Sequence, residues 1–156
     1  MNAIDLIILN LEEVRRRSIK LWRGIPKDYY DWKPDEKAMS IKEMIRHVLE
    51  SEHYYSLAIL RRGSLQEYHS PYEKRPFTNL DEELEYAYEF RNKFLDTIKA
   101  FTPDDLQNIK IDRSDVGYVR TLGDFLLRVA YHEAVHAGQM LNYLRMAGLL
   151  RADIWD

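Results

Sequence analysis

Cysteine is absent from this chain of 156 residues. Disulfides, thiolate metal clusters and cysteine nucleophiles are therefore excluded, and any bound metal must use histidine or carboxylate ligands. Glycine and proline are also scarce, with six and five residues, too few for the many turns of a β-sandwich or barrel. The composition therefore favours long helices.

Neither sign of charge dominates, because 23 basic and 26 acidic side chains leave a formal net charge of −3. A nucleic-acid-binding protein usually carries a basic excess, so we expect no nucleic-acid partner. No apolar run approaches the roughly 20 residues of a membrane-spanning helix, and the N-terminal segment lacks the basic region of a signal peptide. We expect no membrane partner and a cytoplasmic location. The length and the 46% apolar content predict one domain, residues 1–156.

Four segments show the three- and four-residue apolar spacing of helices that pack in a bundle. Helix caps mark several of their ends, such as Ser40 with Glu43 in a capping box and Gly148 as a C-cap. The predicted helices run from Ile4 to the Gly24–Pro26 stop, from Ser40 to Arg61–Gly63, from Asn79 or Asp81 to Thr102–Pro103, and from Thr121 to Gly148.

The connections between these helices differ in length. Residues Ser64–Asn79 contain Pro71 and Pro76, which forbid a continuous helix. Residues 104–120 are polar and are predicted to hold a short hairpin. We therefore predict an all-α fold, a four-helix bundle with a long crossover between the second and third helices.

Three of the five histidines are predicted to face the core. His132 and His136 are four residues apart, so their rings lie on one face of the fourth helix at core positions. Two buried imidazoles are costly unless hydrogen bonds or a metal satisfy them. A metal needs at least three ligands, and His47, on the inward side of the second helix, can supply the third. His53 and His69 are expected to face solvent or the crossover.

The segment His132–His136 also matches H-E-x-x-H, the zinc-protease pattern in which the glutamate is the general base. A zinc protease needs a further downstream ligand, but the last 20 residues contain no histidine or glutamate. We therefore interpret the motif as a metal clasp rather than as a protease signature. Glu133 is a candidate base or partner of a ligand, and the alternative is a solvated glutamate beside Arg128 or Lys110.

The ordered segments Trp32–Pro34, Ser40–His47 and His132–Gln139 resemble the DinB-like family of four-helix-bundle metalloproteins. The resemblance implies that His47, His132 and His136 bind a divalent metal, usually zinc or nickel, and that the protein is a homodimer. The family often has arginine where Ala137 stands. Some relatives transfer a low-molecular-weight thiol to an electrophile, and many have no known activity.

Three neutral histidine ligands leave a dication with an open position, as in catalytic sites. Without cysteine, thiol chemistry requires a co-substrate, so a thiol S-transferase acting on small molecules is the first hypothesis. A hydrolase using metal-bound hydroxide, with Glu133 as its base, and a non-catalytic stress-linked metal-binding module are the alternatives.

Three further residues are candidates for the substrate pocket: Arg91, Gln139 and Tyr54. Arg91 interrupts the apolar face of the third helix and is expected either to clamp a substrate carboxylate or to pair with Glu50. Tyrosines on more than one helical face predict an exposed apolar stripe, which also favours a homodimer.

Overall fold

Four long helices make up most of the chain in the computed structural model, which describes residues 1–156. A short helix and a two-stranded antiparallel sheet lie between the third and fourth long helices. The predicted bundle with its long crossover is thus confirmed, and the sheet is a small departure from an all-α fold. The elements are α1 (Ala3–Arg23), α2 (Ile41–Arg61), α3 (Leu80–Lys99), α4 (Asp105–Asn108), β1 (Lys110–Arg113), β2 (Tyr118–Thr121) and α5 (Leu122–Met146).

Side-chain caps fix where the long helices begin. Ser40 and Glu43 form the predicted capping box, with the Ser40 N–H donating to Glu43 Oε2 at 2.7 Å. Thr121 caps α5 as predicted. Asn2 and Asp5 form a second capping box that starts α1.

The four long helices pack in a ring. α1 lies against α3 and α5, and α2 lies against the same two helices. α1 and α2 are therefore diagonal neighbours although they are consecutive in the chain, and α2 and α5 are in contact although they are far apart in sequence. This arrangement brings the histidines of α2 and α5 together.

The β1–β2 hairpin is attached to the end of α2. Its register pairs Ile111 with Arg120. The Asp112 N–H donates to the Arg62 carbonyl at 2.9 Å, and a Cβ on Gly63 would lie 2.7 Å from the Asp112 carbonyl oxygen. Glycine at position 63 therefore permits this close approach of the two backbones.

The hydrophobic core consists of two clusters, one toward the hairpin and one toward the crossover. On each long helix a buried or nearly buried charged residue separates the two clusters in sequence. We call these four residues the charged layer: Arg15, Glu52, Arg91 and Glu133. No helix is both long and apolar enough to cross a membrane.

Candidate metal centre

The three predicted ligands lie together between α2 and α5. His132 Nε2 is 3.1 Å from His47 Nε2 and 3.2 Å from His136 Nε2. The three ligand atoms all lie within 4.8 Å of one another, and each side chain is half-buried. We call these three residues the histidine cluster.

Two of the three nitrogen–nitrogen distances in the histidine cluster, 3.1 and 3.2 Å, match those expected around a shared metal ion. Two nitrogens bound to one tetrahedral zinc at about 2.0–2.1 Å lie about 3.3 Å apart. The donor set fits as well, because three imidazole nitrogens facing one another cannot all find a hydrogen-bond donor among themselves. A cation shared by the three lone pairs satisfies them together.

Metal binding requires neutral imidazoles. Burial lowers the pKa of His47, His132 and His136 below the ordinary value. The effect is largest for His132, where burial and the charges of the other two histidines lower the pKa to about 4. The protein therefore keeps these rings unprotonated at neutral pH.

Gln139 holds His136 in the orientation that a ligand needs. The His136 Nδ1–H donates to Gln139 Oε1 at 2.7 Å, which leaves the Nε2 lone pair directed at the cluster. Sequence reasoning assigned Gln139 to the substrate pocket. The structure places it instead behind the ring of a predicted ligand.

Glu133 turns away from the histidine cluster into the core. The Arg15 Nε donates to Glu133 Oε1 at 2.8 Å, and Arg15 Nη2 donates to Glu133 Oε2 at 3.0 Å. Burial by itself raises the pKa of Glu133, but the charge and hydrogen bonds of Arg15 prevail and lower it. The alternative of a solvated glutamate beside Arg128 or Lys110 is wrong, because the residue is only 5% exposed.

Arg91 belongs to the same charged layer. One of its guanidinium nitrogens pairs with Glu52, and Nη2 donates to the Leu11 carbonyl at 2.8 Å. Arg15 also approaches Glu52, at 3.4 Å. The prediction that Arg91 pairs with Glu50 is therefore wrong, because the partner is Glu52, about half a helical turn further along α2. Both acceptors of Arg91 belong to the protein itself.

Tyr54 lies beside the hairpin rather than in the histidine cluster, and its hydroxyl accepts a hydrogen bond from Arg113 at 3.3 Å. Its neighbour Tyr55 is the aromatic residue next to the cluster, with its ring centroid 5.7 Å from that of His132. His53 lies between Phe90 of α3 and Tyr68 of the crossover, with ring centroids 4.4 and 6.4 Å away. His69 is exposed in the crossover as expected.

The buried face of α5 differs from the predicted one in the second half of the helix. The sequence predicts core positions for His132 and His136, but beyond Ala130 the buried residues of α5 are Glu133, Met140 and Leu144. The histidines lie at the rim, where they are half-buried. Glu133 is buried on this face because it pairs with Arg15, which is distant in sequence.

Comparison with known proteins identifies relatives of the same fold. The sequence model of the DinB superfamily matches residues 10–140. The uncharacterized protein YjoA of Bacillus subtilis (strain 168) is 29% identical over 135 residues, which cover 83% of this chain and 80% of YjoA.

Three solved structures share the fold. A DinB-like protein, YjoA of Bacillus subtilis, superposes with a TM-score of 0.69 at 24% identity, covering 95% of this chain and 96% of the other. YfiT of Bacillus subtilis, described as a probable metal-dependent hydrolase with an unusual four-helix bundle topology, gives 0.71 at 16% identity, covering 94% and 89%. A putative DinB family member from Exiguobacterium sibiricum 255-15 gives 0.69 at 18% identity and covers 99% of both chains.

Proposed function

The chain belongs to the DinB superfamily, and we propose that it is a divalent-metal-dependent enzyme that transfers a low-molecular-weight thiol to small electrophilic substrates. The observation that carries the proposal is the convergence of His47, His132 and His136 within 4.8 Å, with no fourth histidine or carboxylate in the group. Structural zinc sites are normally closed by four protein ligands, whereas three ligands leave room for a reactant. Zinc and nickel are the metals we expect.

A divalent metal held by three neutral imidazoles supplies a Lewis acid that lowers the pKa of a thiol or a water molecule toward neutrality. The residues of this chain then have separate tasks. His47, His132 and His136 hold the metal, Gln139 fixes the ring of His136, and Tyr55 covers one side of His132. Because the chain has no cysteine, the attacking sulfur belongs to a co-substrate.

The position of Glu133 favours thiol transfer over base-assisted hydrolysis. A general base must reach the proton that it removes, but both oxygens of Glu133 accept hydrogen bonds from buried Arg15. A thiol needs no such base, since thiols ionise far more readily than water.

Hydrolysis is the second candidate, and one comparison favours it. YfiT, which has the same fold, is described as a probable metal-dependent hydrolase. In this chain such a hydrolase would depend on the metal alone to activate water, without Glu133 as base.

Two assays on protein purified without a histidine tag separate these candidates. The zinc- or nickel-loaded protein is tested for conjugation of 2-mercaptoethanol to 1-chloro-2,4-dinitrobenzene and for hydrolysis of 4-nitrophenyl acetate. We expect metal-dependent conjugation that His132→Ala abolishes and that His69→Ala, in the exposed crossover, leaves unchanged. Metal-dependent ester hydrolysis without conjugation would replace the transferase with the hydrolase.

We also propose that the protein is a two-fold homodimer. Three apolar side chains form an exposed stripe with four-residue spacing on α5: Leu127, Tyr131 and Val135, which are 53%, 69% and 40% exposed. α1, which packs beside α5, exposes Leu6 and Leu9. Burial of this surface against a second copy would stabilise the pair. Light scattering should report twice the monomer mass of 18.7 kDa, and Tyr131→Glu should shift the mass toward the monomer.

A further inference from the structure

Three arginines surround one tyrosine ring at the hairpin end of the histidine cluster. The guanidinium carbons of Arg113, Arg120 and Arg128 lie 5.5, 5.1 and 5.0 Å from the ring centroid of Tyr118. Arg128 is on α5, four residues before His132 and on the same helical face, about 6 Å along the axis. The arginine group therefore adjoins the proposed metal site.

Two of these arginines have no carboxylate partner. Arg120 is neutralised by Asp124, with Nη1 and Oδ2 2.7 Å apart. Arg113 donates only to hydroxyl groups, those of Ser64, Tyr118 and Tyr54. Two positive charges thus remain uncompensated by ion pairs beside the cluster.

Arg128 is the least satisfied of the three. Its Nε, like that of Arg120, is buried and has no hydrogen-bond partner, although buried donors in folded proteins are nearly always paired. Unlike Arg120, Arg128 has no ion pair either. One turn of α5, about 6 Å along the axis, separates Arg128 from His132. Arg128 is therefore within electrostatic range of the site.

The arginine that sequence reasoning chose as a substrate clamp is not available for that task. Arg91 is held in the core by Glu52 and by the Leu11 carbonyl. The hairpin, which is fixed against α2 at Gly63, holds Arg113 over the same Tyr118 ring as Arg128 of α5. The hairpin end of the site therefore has guanidinium groups without a carboxylate partner, whereas each guanidinium of the charged layer has one.

We propose that Arg128 and Arg113 form an anion-binding subsite beside the histidine cluster, which selects small substrates that carry a carboxylate. Guanidinium groups bind carboxylates through paired, charge-assisted hydrogen bonds. The inference rests on the proposed function, because the selected molecule is the one that reaches the metal. It adds a chemical class of substrate to that function.

The test compares two hydroxamates of similar length, which bind metals through the same head group. Succinic monohydroxamate carries a carboxylate tail, and butyrohydroxamate carries a methyl group in its place. Each is titrated into cobalt-loaded protein, and its affinity is taken from the change in the cobalt absorption spectrum. We expect the carboxylate-bearing compound to bind about tenfold more tightly or better, the effect of one charge-assisted hydrogen-bond pair.

Variants assign the preference to individual residues. Arg128→Gln should reduce the preference to near unity while butyrohydroxamate binds as before, and Arg128→Lys should restore part of it. Arg113→Gln should reduce it partially. Arg120→Gln is the matched control, because Arg120 is equally close to Tyr118 but already paired with Asp124, and it should keep the preference. Circular dichroism verifies that each variant is folded.

Two results would overturn the subsite while leaving the metal site intact. The first is equal affinity of both hydroxamates for the wild-type protein. The second is an equal loss of preference in Arg120→Gln and Arg128→Gln, which would indicate diffuse charge rather than a subsite. If neither compound alters the cobalt spectrum, the open metal position of the proposed function is wrong, and the subsite is wrong with it.

Discussion

His132 and Glu133 are adjacent in α5 but belong to two regions with opposite chemistry. Glu133 is in the charged layer, where each guanidinium meets a carboxylate and the charges neutralise one another inside the protein. His132 is in the histidine cluster, where like nitrogens face one another at 3.1–3.2 Å without donors for all of them. The first region is complete by itself, whereas the second requires a ligand.

This difference separates structural from functional polar groups. A buried charge that is fully paired contributes little to chemistry, because its lone pairs and protons are already used. A group of half-buried nitrogen lone pairs without hydrogen-bond partners is costly unless a bound ion or substrate satisfies it. Predictions that remove one residue from each region test this division.

Breaking the charged layer should have the largest effect on stability. Arg15→Ala leaves the carboxylates of Glu133 and Glu52 buried without their shared partner, so the free energy of unfolding should fall by about 3–5 kcal/mol. Urea denaturation measures this change. Arg16→Ala is the control, since Arg16 is exposed and pairs with Glu13 at the surface, and it should lower the free energy of unfolding far less. Equal small losses in both variants would mean that the layer is not important for stability.

Breaking the histidine cluster should affect metal binding rather than the fold. His132→Ala removes the central nitrogen of the cluster, so the affinity for zinc should fall by more than about 100-fold. That is the largest loss expected when a residue that hydrogen-bonds to a ligand, rather than the ligand itself, is removed. The helical circular-dichroism signal should remain, because alanine favours helix. Chelator competition measures the affinity, with His69→Ala as the control. Unchanged zinc affinity in His132→Ala would disprove the centre.

The outcome for the sequence predictions follows the same division. The capping box at Ser40 and the pairing of His132 with His136 could be predicted because each depends on residue type at short, regular spacing. His47 is 85 residues from His132, but the helical pattern of α2 places it on the inward side of that helix. The charged layer could not be predicted, because Arg15 lies in a run of three arginines that is typical of a solvated surface. Its burial depends on Glu52 and Glu133, which are distant in sequence, so only the packing of the helices shows the pairing.

Replacing a residue that hydrogen-bonds to one of the three histidines should have an intermediate effect on the affinity for zinc. Gln139→Ala removes the acceptor of the His136 Nδ1–H, which frees the ring to rotate, and zinc affinity should fall by about 10–100-fold. Asn142→Ala, at another exposed position of α5, should leave the affinity unchanged. If Gln139→Ala also has no effect, the hydrogen bond does not orient the ligand.

The two regions should also respond to different ranges of pH in the metal-free protein. Because burial lowers the pKa of His132 from about 6.5 to about 4, the unfolded chain binds protons in this range that the folded protein does not. The free energy of unfolding should therefore decrease as the pH falls from about 6.5 to about 4. Replacement of His132 by glutamine should flatten this part of the curve.

Glu133 contributes to stability as a negatively charged carboxylate, and this contribution is lost at a lower pH than that of His132. Its pKa is lowered below 4.5 in the folded protein, where Arg15 outweighs the effect of burial, so its contribution is complete above that value and is lost as the pH falls through the folded pKa. Chemical denaturation of the metal-free protein between pH 7 and pH 3 should show both phases, with only the upper phase reduced in His132→Gln. A single phase below pH 4.5 in the wild-type protein would mean that the histidine rings are not held neutral by their surroundings. The histidine cluster would then differ from ordinary exposed histidines only in position. The contrast that we draw between the histidine cluster and the charged layer would then be wrong.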